Sequence, residues 1–249
     1  MRIITWNVNS VRARHTHVES LLHNEKPSVL CMQETKVVNN EYPDFPSYSG
    51  SCVANGQKSY NGVSAHCIKP PSDVIVSPWQ HGEKRVLAFT YNNIRFINLY
   101  VPMGGKDENA YSEKLLWLDN LTFFILEQKQ VYKHVCILGD FNICPTDDDV
   151  WDPVAWKGRV TCTKPERDWF KNIIACGFKD TLKEHTDSSD FTWWNYRRNG
   201  YQRNHGLRID FVLMTDDLAS CVVRAEVLTQ YREMEKPSDH APVLVEIRK

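Results

Sequence analysis

Polar side chains that could bind a cation or transfer a proton stand at the ends of several apolar runs. Four runs end at Asn7, at Glu34, at Tyr100, and at Asp140 with Asn142, and Asp239 and His240 come directly before the run 241–247. Strands that share a core can bring such ends together at one rim, where carboxylates repel one another unless a cation lies between them. The available ligands are hard oxygens, which suit Mg²⁺, with Mn²⁺ as a plausible substitute, better than Zn²⁺.

Each of these residues also has a simpler interpretation. Asn and Asp commonly close strands as turn residues, and for any one position taken alone this interpretation is favoured. It is weaker for the whole set, because Glu34 and His240 are not residues that turns favour. We therefore predict that the set forms a divalent-cation site at one rim of the fold.

The elements that must position these residues are mostly strands. Short apolar runs rich in β-branched residues predict strands at 2–8, 28–33, 61–68, 86–91, 94–101, 134–141, 208–214, 221–228 and 241–247. Helices are predicted at 11–24, at 110–130, and from the capping box at Thr163 to the stop at Gly177. This proportion favours an α/β fold of two mixed β-sheets packed together, with helices outside. No linker divides the chain, so residues 1–249 are expected to form one domain.

Five segments, taken in order, resemble the motifs of the exonuclease III family, which belongs to the endonuclease/exonuclease/phosphatase superfamily. They are WNVN at 6–9, LCMQETK at 30–36, GDFN at 139–142, LRID at 207–210 and PSDHAP at 237–242. The ordered set covers essentially the whole chain and is much more specific than any one motif. The resemblance implies a DNase I-like fold, a four-layered α/β sandwich. The short stretch before the first motif is similar to the bacterial members.

The resemblance also implies roles for individual residues. Glu34 matches the main metal carboxylate, with Asn7 and Asp239 nearby, and Asp140 matches the residue that orients and deprotonates the attacking water. His240 matches the histidine at the scissile phosphate, and Asp210 is its carboxylate partner. The set is completed by Asn142, which helps to hold the water or the phosphate, and by the phosphate-contacting Tyr100. The sequence leaves open whether one or two ions act, and whether Asp140, Asn142 and His240 ligate metal directly.

The segment 193–208 is rich in arginines and aromatic residues and carries no acidic residue. Its arginines are Arg197, Arg198, Arg203 and Arg208. The alternative is a solvated loop, but the segment abuts the Asp210 motif, which favours a surface that binds DNA phosphates. The resemblance implies that Trp193 and Leu207 line a pocket for an extrahelical abasic sugar, although family endonucleases can carry a bulky aromatic where Leu207 stands. Weaker candidates for backbone contacts are Lys36, Arg12, Tyr60 and Asn61.

Composition limits the class of protein. The formal net charge is −1, so any contact with DNA must come from a local basic patch rather than from a uniformly basic surface. The eight cysteines contain no C-x-x-C spacing and lie mostly in apolar stretches, which predicts unpaired thiols and a reducing compartment. No signal segment or membrane-spanning run is evident, so we expect a cytoplasmic, bacterial-type protein that is associated with the nucleoid through its substrate.

Together these features predict a Mg²⁺-dependent DNA-repair nuclease. It would cleave double-stranded DNA 5′ to abasic sites and act as a 3′-5′ exonuclease and 3′-phosphatase, most simply as a monomer. The balance between these activities is left open. One alternative is another hydrolase with the same kind of site, such as a phosphoinositide phosphatase, a sphingomyelinase or an RNA deadenylase. The other is a binding module that has lost catalysis, against which the intact set of polar residues argues.

Overall fold

The computed structural model describes residues 1–79, 82–185 and 190–248. Its longer strands agree with the predicted ones to within a few residues. The strands are β1 (Arg2–Asn7), β2 (Val29–Gln33), β3 (Ser51–Asn55), β4 (Val63–Cys67), β5 (Ser72–Val76), β6 (Val86–Tyr91), β7 (Ile94–Tyr100), β8 (Val135–Asp140), β9 (Phe178–Asp180), β10 (Trp193–Trp194), β11 (Gly206–Leu207), β12 (Asp210–Thr215), β13 (Val222–Val227) and β14 (Val243–Ile247).

The α-helices occupy fewer of the described residues than the strands do. They are α1 (His15–Glu25), α2 (Glu108–Val131), α3 (Pro153–Trp156), α4 (Lys164–Ala175) and α5 (Asp216–Ala219), with short 3-10 helices at Asn39–Glu41, Asp147–Asp149, Arg197–Asn199 and Thr229–Arg232. The predicted capping box is present at α4, where the Thr163 side chain and Glu166 satisfy each other's backbone N–H groups. Within the described ranges, no helix combines the length and the hydropathy needed to cross a bilayer.

The strands form two six-stranded mixed sheets and one small ribbon. The first sheet has the order β13-β14-β1-β2-β4-β3, the second has the order β5-β6-β7-β8-β12-β9, and β10 pairs with β11. Among the described strands, β1 with β2 and β7 with β8 are parallel pairs, and the other pairs within the two sheets are antiparallel. The prediction of two mixed sheets is confirmed.

Three apolar clusters hold the layers together. One lies between the sheets and joins residues such as Ile3 and Val29 of the first sheet to Phe96 and Leu138 of the second. A second packs α2 and α4 on the outer face of the second sheet, and a third packs α1 on the outer face of the first. Because both faces of each sheet are covered, the central strands read as nearly continuous apolar runs. The result is the predicted four-layered sandwich.

Strand direction gathers the polar side chains at one rim. Asn7 is paired with Gln33 at the carboxyl ends of β1 and β2, and Tyr100 is paired with Asp140 at the carboxyl ends of β7 and β8. The antiparallel β12 begins at Asp210, which is opposite Asp140. Strand β14 runs antiparallel to β1, so the residues that come just before β14 lie beside the carboxyl end of β1. Strand ends that are far apart in the sequence therefore meet at one edge of the fold.

The sequence patterns missed the less apolar elements. Strands β3, β5 and β9 and the short helices α3 and α5 were not predicted, because they are short and carry many polar or exposed residues. The first helix begins at His15 rather than at residue 11. The N-cap residue Arg14 has a φ of −113° and a ψ of 21°, outside the helical range, and the loop before it contains positive φ values of 44° at Asn9 and 87° at Ser10.

A glycine next to the rim gives a test of this packing. Gly139 has a φ of +137°, and a Cβ added there would lie 2.0 Å from the backbone oxygen of Leu99 on the paired strand. We expect Gly139→Ala to lower the free energy of unfolding by about 3 kcal/mol, because backbone strain and overpacking add. Urea-induced unfolding measures this change.

Gly158 is the matched control. Its φ is +70°, but a Cβ added there meets nothing within 4 Å. Gly158→Ala should therefore cost only the left-handed strain of about 1 kcal/mol. Equal losses of stability in the two variants would contradict the proposed close approach between β7 and β8.

Candidate active site

Three ionisable side chains converge at the rim. One ligand atom from each of Glu34, Asp140 and His240 lies within 4.8 Å of the others. Asp140 is 1% exposed and His240 is 4% exposed, whereas Glu34 is partly open to solvent. Two carboxylates and an imidazole in this arrangement could hold a metal ion, and their oxygen-rich donor set fits a hard divalent cation.

The loops that carry these side chains have unusual backbone conformations. Glu34 follows β2 with a φ of 51°, and Asn142 follows β8 with a φ of 49°. The conformation at Glu34 is held by a 2.7 Å hydrogen bond from the backbone N–H of Ser10 to its carbonyl oxygen. Left-handed backbone at residues other than glycine is costly and occurs preferentially at functional sites.

Asn7 lies between the two carboxylates as a hydrogen-bond donor. Its Nδ2 donates to Glu34 Oε1 and to Asp140 Oδ2, both at 2.9 Å. Its Oδ1 accepts a 3.0 Å bond from the backbone N–H of Asn9, which fixes the orientation of the amide. The prediction that Asn7 is a metal ligand stays a prediction; in this structure its oxygen is turned to the Asn9 backbone and its nitrogen donates to the two carboxylates.

Asp140 is the most enclosed carboxylate of the three-residue cluster. Its Oδ1 accepts a 2.9 Å hydrogen bond from the backbone N–H of Asn142. Burial raises the pKa of Asp140 well above the usual value for an aspartate, and the charges of Asp210 and Glu34 add to this effect, while His240 and Asn7 oppose it. A carboxyl group with a raised pKa is suited to accept a proton near neutral pH.

His240 is held by a second buried carboxylate. Its Nδ1 lies 2.8 Å from Oδ2 of Asp210, and its Nε2 lies 3.8 Å from Oδ2 of Asp140. Burial alone lowers the pKa of His240, but the charges of Asp210 and Asp140 outweigh it and raise the pKa above the usual value for histidine. The bond to Asp210 places the proton on Nδ1 when the ring is neutral and turns Nε2 towards Asp140 and Glu34.

The charge on Glu34 is partly offset by a lysine. Lys36 Nζ lies 2.7 Å from Glu34 Oε2 and also donates to Asn9 Oδ1. Burial raises the pKa of Glu34, but the hydrogen bonds from Lys36 and Asn7 outweigh it, so the pKa lies below the usual value. Burial raises the pKa of the neighbouring Tyr100, and the charges of Glu34 and Asp140 raise it further.

Asp239 lies beside the three-residue cluster and bonds to two other side chains. Its Oδ1 accepts from Asn9 Nδ2 and its Oδ2 accepts from Trp193 Nε1, both at 3.0 Å. It is absent from the three-residue cluster within the described part of the chain. The prediction that Asp239 is a metal ligand stays a prediction; each of its oxygens accepts one hydrogen bond from a neighbouring side chain.

A cavity of about 530 Å³ opens above the three-residue cluster. One wall is the β10–β11 ribbon, where Trp193 is paired with Leu207. The cavity is lined by Glu34, Tyr100, Met103, Gly105, Asp140, Asn142, Trp156, Arg159, Val160, Thr161, Trp193, Leu207, Ile209, Asp239 and His240. The arrangement combines a polar floor with a partly apolar wall, as is common in ligand-binding cavities.

The sequence reasoning missed the opposite wall of this cavity. It is formed by Met103, by Trp156 at the end of α3, and by Arg159 and Thr161 of the loop that follows α3. The only signal for it is a tryptophan and an arginine in a loop with Gly158, and that pattern is equally typical of a surface loop.

The comparisons with known proteins agree with this geometry. A family model described as the Endonuclease/Exonuclease/phosphatase family matches residues 4–240. The chain belongs to this family. Exodeoxyribonuclease III of Haemophilus influenzae is 28% identical over 267 residues, which cover 100% of both chains.

Two solved structures of this family are also similar over 100% of both chains. The 3′ phosphatase NExo from Neisseria, bound to a product DNA hairpin, is 35% identical with a TM-score of 0.95. An AP endonuclease from Archaeoglobus fulgidus is 33% identical with a TM-score of 0.93. The predictions of a DNase I-like fold, of this family and of a nuclease are confirmed by these comparisons.

The arginines of the segment 193–208 are of two kinds. Arg197, Arg198 and Arg203 are exposed and stay predicted contacts to DNA phosphates. Arg208 is 7% exposed, and its guanidinium group lies 2.6 Å from the carboxylates of both Asp149 and Asp180. This position does not favour the predicted contact of Arg208 with DNA, because two of its nitrogens bond to the buried carboxylate of Asp149 and the partly buried carboxylate of Asp180.

The weaker DNA candidates also differ in their surroundings. Arg12 forms an exposed ion pair with Glu41 at 2.7 Å, and Tyr60 is 59% exposed. Asn61 is 6% exposed, and its backbone oxygen accepts a hydrogen bond from the N–H of Lys36. Tyr60 and Asn61 therefore belong to a loop bonded directly to the segment that carries Glu34 and Lys36.

The reassignment of Arg208 can be tested by stability. Arg208→Met leaves the buried carboxylate of Asp149 and the partly buried carboxylate of Asp180 without their cation, so we expect a loss of about 3 kcal/mol in the free energy of unfolding. The control Arg203→Met should change it by less than about 0.5 kcal/mol, because Arg203 is exposed. Urea-induced unfolding compares the two. Weakened DNA binding in Arg208→Met with unchanged stability would restore the original prediction.

Proposed function

We propose that this protein is a Mg²⁺-dependent DNA-repair nuclease that hydrolyses the phosphodiester bond 5′ to abasic sites, with 3′-5′ exonuclease and 3′-phosphatase activity on double-stranded DNA. The observation that carries the proposal is the convergence of Glu34, Asp140 and His240 within 4.8 Å on the floor of a cavity walled by Trp193 and Leu207. The relatives named exodeoxyribonuclease III, AP endonuclease and 3′ phosphatase support it.

The chain's own residues account for the proton and the orientation that hydrolysis needs. Asp140 accepts the proton of the attacking water, whose oxygen forms a bond to phosphorus while the bond to the departing 3′ oxygen breaks, and that oxygen takes up a proton from solvent to leave as a 3′-hydroxyl. Asn7 and the backbone of Asn142 hold the Asp140 carboxylate in place through hydrogen bonds of 2.9 Å. His240, fixed by Asp210, directs Nε2 towards the position of the phosphate, and Tyr100 contacts that phosphate.

The metal site would be built on Glu34. Glu34 is the more accessible of the two carboxylates in the three-residue cluster and lies beside Asp140. Bound Mg²⁺ supplies positive charge that offsets the negative charge developing on the phosphate oxygens. Magnesium retains several of its waters, so few protein ligands are needed.

The nucleic-acid substrate is favoured over a lipid by the walls of the cavity. Trp193 and Leu207 offer an apolar surface beside the site, and exposed Arg197, Arg198 and Arg203 follow in the same segment. Apolar side chains beside an unpaired sugar and arginines on phosphates are typical of nucleic-acid binding.

A single domain over residues 1–249, a cytoplasmic location and a monomeric state complete the proposal. The free state of all eight cysteines, each in a described range, is consistent with a reducing compartment.

A panel of substrates tests this proposal. Duplexes with an abasic site, a nick, a recessed end or a 3′-phosphate are incubated with the protein and Mg²⁺, with EDTA in parallel, beside phospholipid vesicles and poly(A). We expect Mg²⁺-dependent products from the duplexes that EDTA abolishes. Preferential turnover of the phospholipid or of poly(A) would assign the site to another branch of the family. DNA binding without cleavage would support a binding module.

Asp140→Asn tests the proton acceptor. We expect turnover to fall by about 10³-fold or more, because the attacking water loses its base, while binding of the abasic duplex stays largely intact. Single-turnover kinetics and a binding titration separate the two effects. The control is Asp148→Asn, an exposed carboxylate outside the site. Wild-type turnover in Asp140→Asn would exclude this role.

Glu34→Ala tests the metal site. We expect the Mg²⁺ concentration for half-maximal turnover to rise by about tenfold, with partial recovery at high Mg²⁺, because one oxygen ligand is lost. Titration of cleavage with Mg²⁺ measures this change, and Glu41→Ala, on the exposed 3-10 helix nearby, is the control. An unchanged metal response would remove Glu34 from the ligand set.

A further inference from the structure

A fully buried ion pair lies beneath the cavity without lining it. Lys114 of α2 and Glu166 of α4 are both 0% exposed, and Lys114 Nζ lies 2.6 Å from Glu166 Oε1. Burying two charges is costly, and the cost is recovered only where the remaining hydrogen-bonding atoms also find partners. The partners of this pair are therefore informative.

Lys114 bonds to two loops that follow neighbouring strands. Its Nζ donates to the backbone oxygen of Asn142 at 2.8 Å and to that of Met103 at 3.3 Å. Asn142 is the residue with left-handed backbone whose N–H donates to Oδ1 of Asp140. Lys114 is thus linked to the Asp140 carboxylate through one residue, without touching it.

Glu166 bonds to the third loop at the cavity. Its Oε1 accepts a 3.0 Å bond from the backbone N–H of Thr161. Thr161 has a φ of 87°, which is a strained conformation for a β-branched residue, and its carbonyl oxygen accepts a 2.7 Å bond from the N–H of Cys144. Such a conformation persists only where the surroundings hold it.

The three residues that the pair contacts share one property. Met103, Asn142 and Thr161 all line the cavity above the three-residue cluster, whereas Lys114 and Glu166 do not. They belong to three separate loops, after β7, after β8 and before α4. One ion pair thus joins the loops on one side of the cavity.

We propose that Lys114 and Glu166 are a positioning pair, which fixes these three loops so that the water-activating Asp140 and the cavity wall keep one geometry during the reaction. This inference rests on the proposed nuclease function. It assigns the pair no contact with the substrate. The pair affects turnover, through the orientation of Asp140, and does not affect binding of the duplex.

A simpler interpretation is that Glu166 only caps α4. Its Oε2 accepts from the backbone N–H of Thr163 at 2.9 Å, and its backbone N–H donates to Thr163 Oγ1 at 3.4 Å, which is the capping box. Capping explains these two bonds but not the ion pair to Lys114 or the bond to Thr161. The two interpretations predict different effects when Thr163 is changed.

The test is the double variant Lys114→Met/Glu166→Gln. It removes both charges together, so neither is left buried without a partner, and the fold should be retained. It also removes the donor to Asn142 and Met103. We expect kcat on the abasic duplex to fall by about 10- to 100-fold while KM changes by less than about threefold, since small displacements of reacting groups affect turnover most.

Thr163→Ala is the matched control. It removes the hydroxyl side of the capping box and lowers thermal stability, but it leaves the bonds to Asn142, Met103 and Thr161 in place. We expect wild-type kcat in this variant. An equal loss of kcat in Thr163→Ala would mean that helix stability, not loop position, limits turnover, and it would overturn the inference.

Glu166→Gln alone provides a second measurement if the double variant does not fold. It keeps the shape of the side chain and removes the charge, and we expect a smaller loss of kcat with KM unchanged. Wild-type kcat in whichever folded variant is measured would overturn the positioning role. Failure of the wild-type protein to cleave the abasic duplex with Mg²⁺ would instead reject the proposed function itself, so the two failures are distinguishable.

Discussion

The structure depends on the convergence of negatively charged side chains at a largely buried rim of the fold. Glu34, Asp140 and Asp210 lie at the ends of three strands, and the charges of Glu34 and Asp210 both raise the pKa of Asp140. Such an arrangement is unfavourable by itself and needs compensating groups. The surrounding contacts supply them, because Lys36 pairs with Glu34 and His240 with Asp210. A divalent cation would relieve the remaining repulsion between the carboxylates.

This compensation explains why the residues around the carboxylates matter as much as the carboxylates themselves. Asn7 donates to two of them at once, and Asn142 donates to Asp140 from a backbone conformation that Lys114 stabilises. The rim is thus a network in which most carboxylate oxygens have an assigned donor, whereas Oδ1 of Asp210 is buried without one. The satisfied members of such a buried network favour a single geometry.

Much of the fold and the centre of the site could be predicted from sequence. The long apolar strands, the capping box at Thr163 and the polar residues after β2 and β8 are local signals, and the structure contains each of them. The rest depends on pairings between distant residues. No local sequence pattern indicates that Arg208 forms ion pairs with Asp149 and Asp180, or that the side-chain oxygen of Asn7 accepts a hydrogen bond from a backbone N–H.

The pairing of β7, β8 and β12 has a consequence for how such a protein can diverge. Tyr100, Asp140 and Asp210 stand in one row across these three strands. A shift of one residue in any pairing would turn the side chains of that strand to the opposite face. Insertions within the strands are therefore barred, whereas the connecting loops can change in length without disturbing the row. Proteins that diverge from this sequence can therefore change their substrate preference, through the loops, more freely than the type of bond that they cleave.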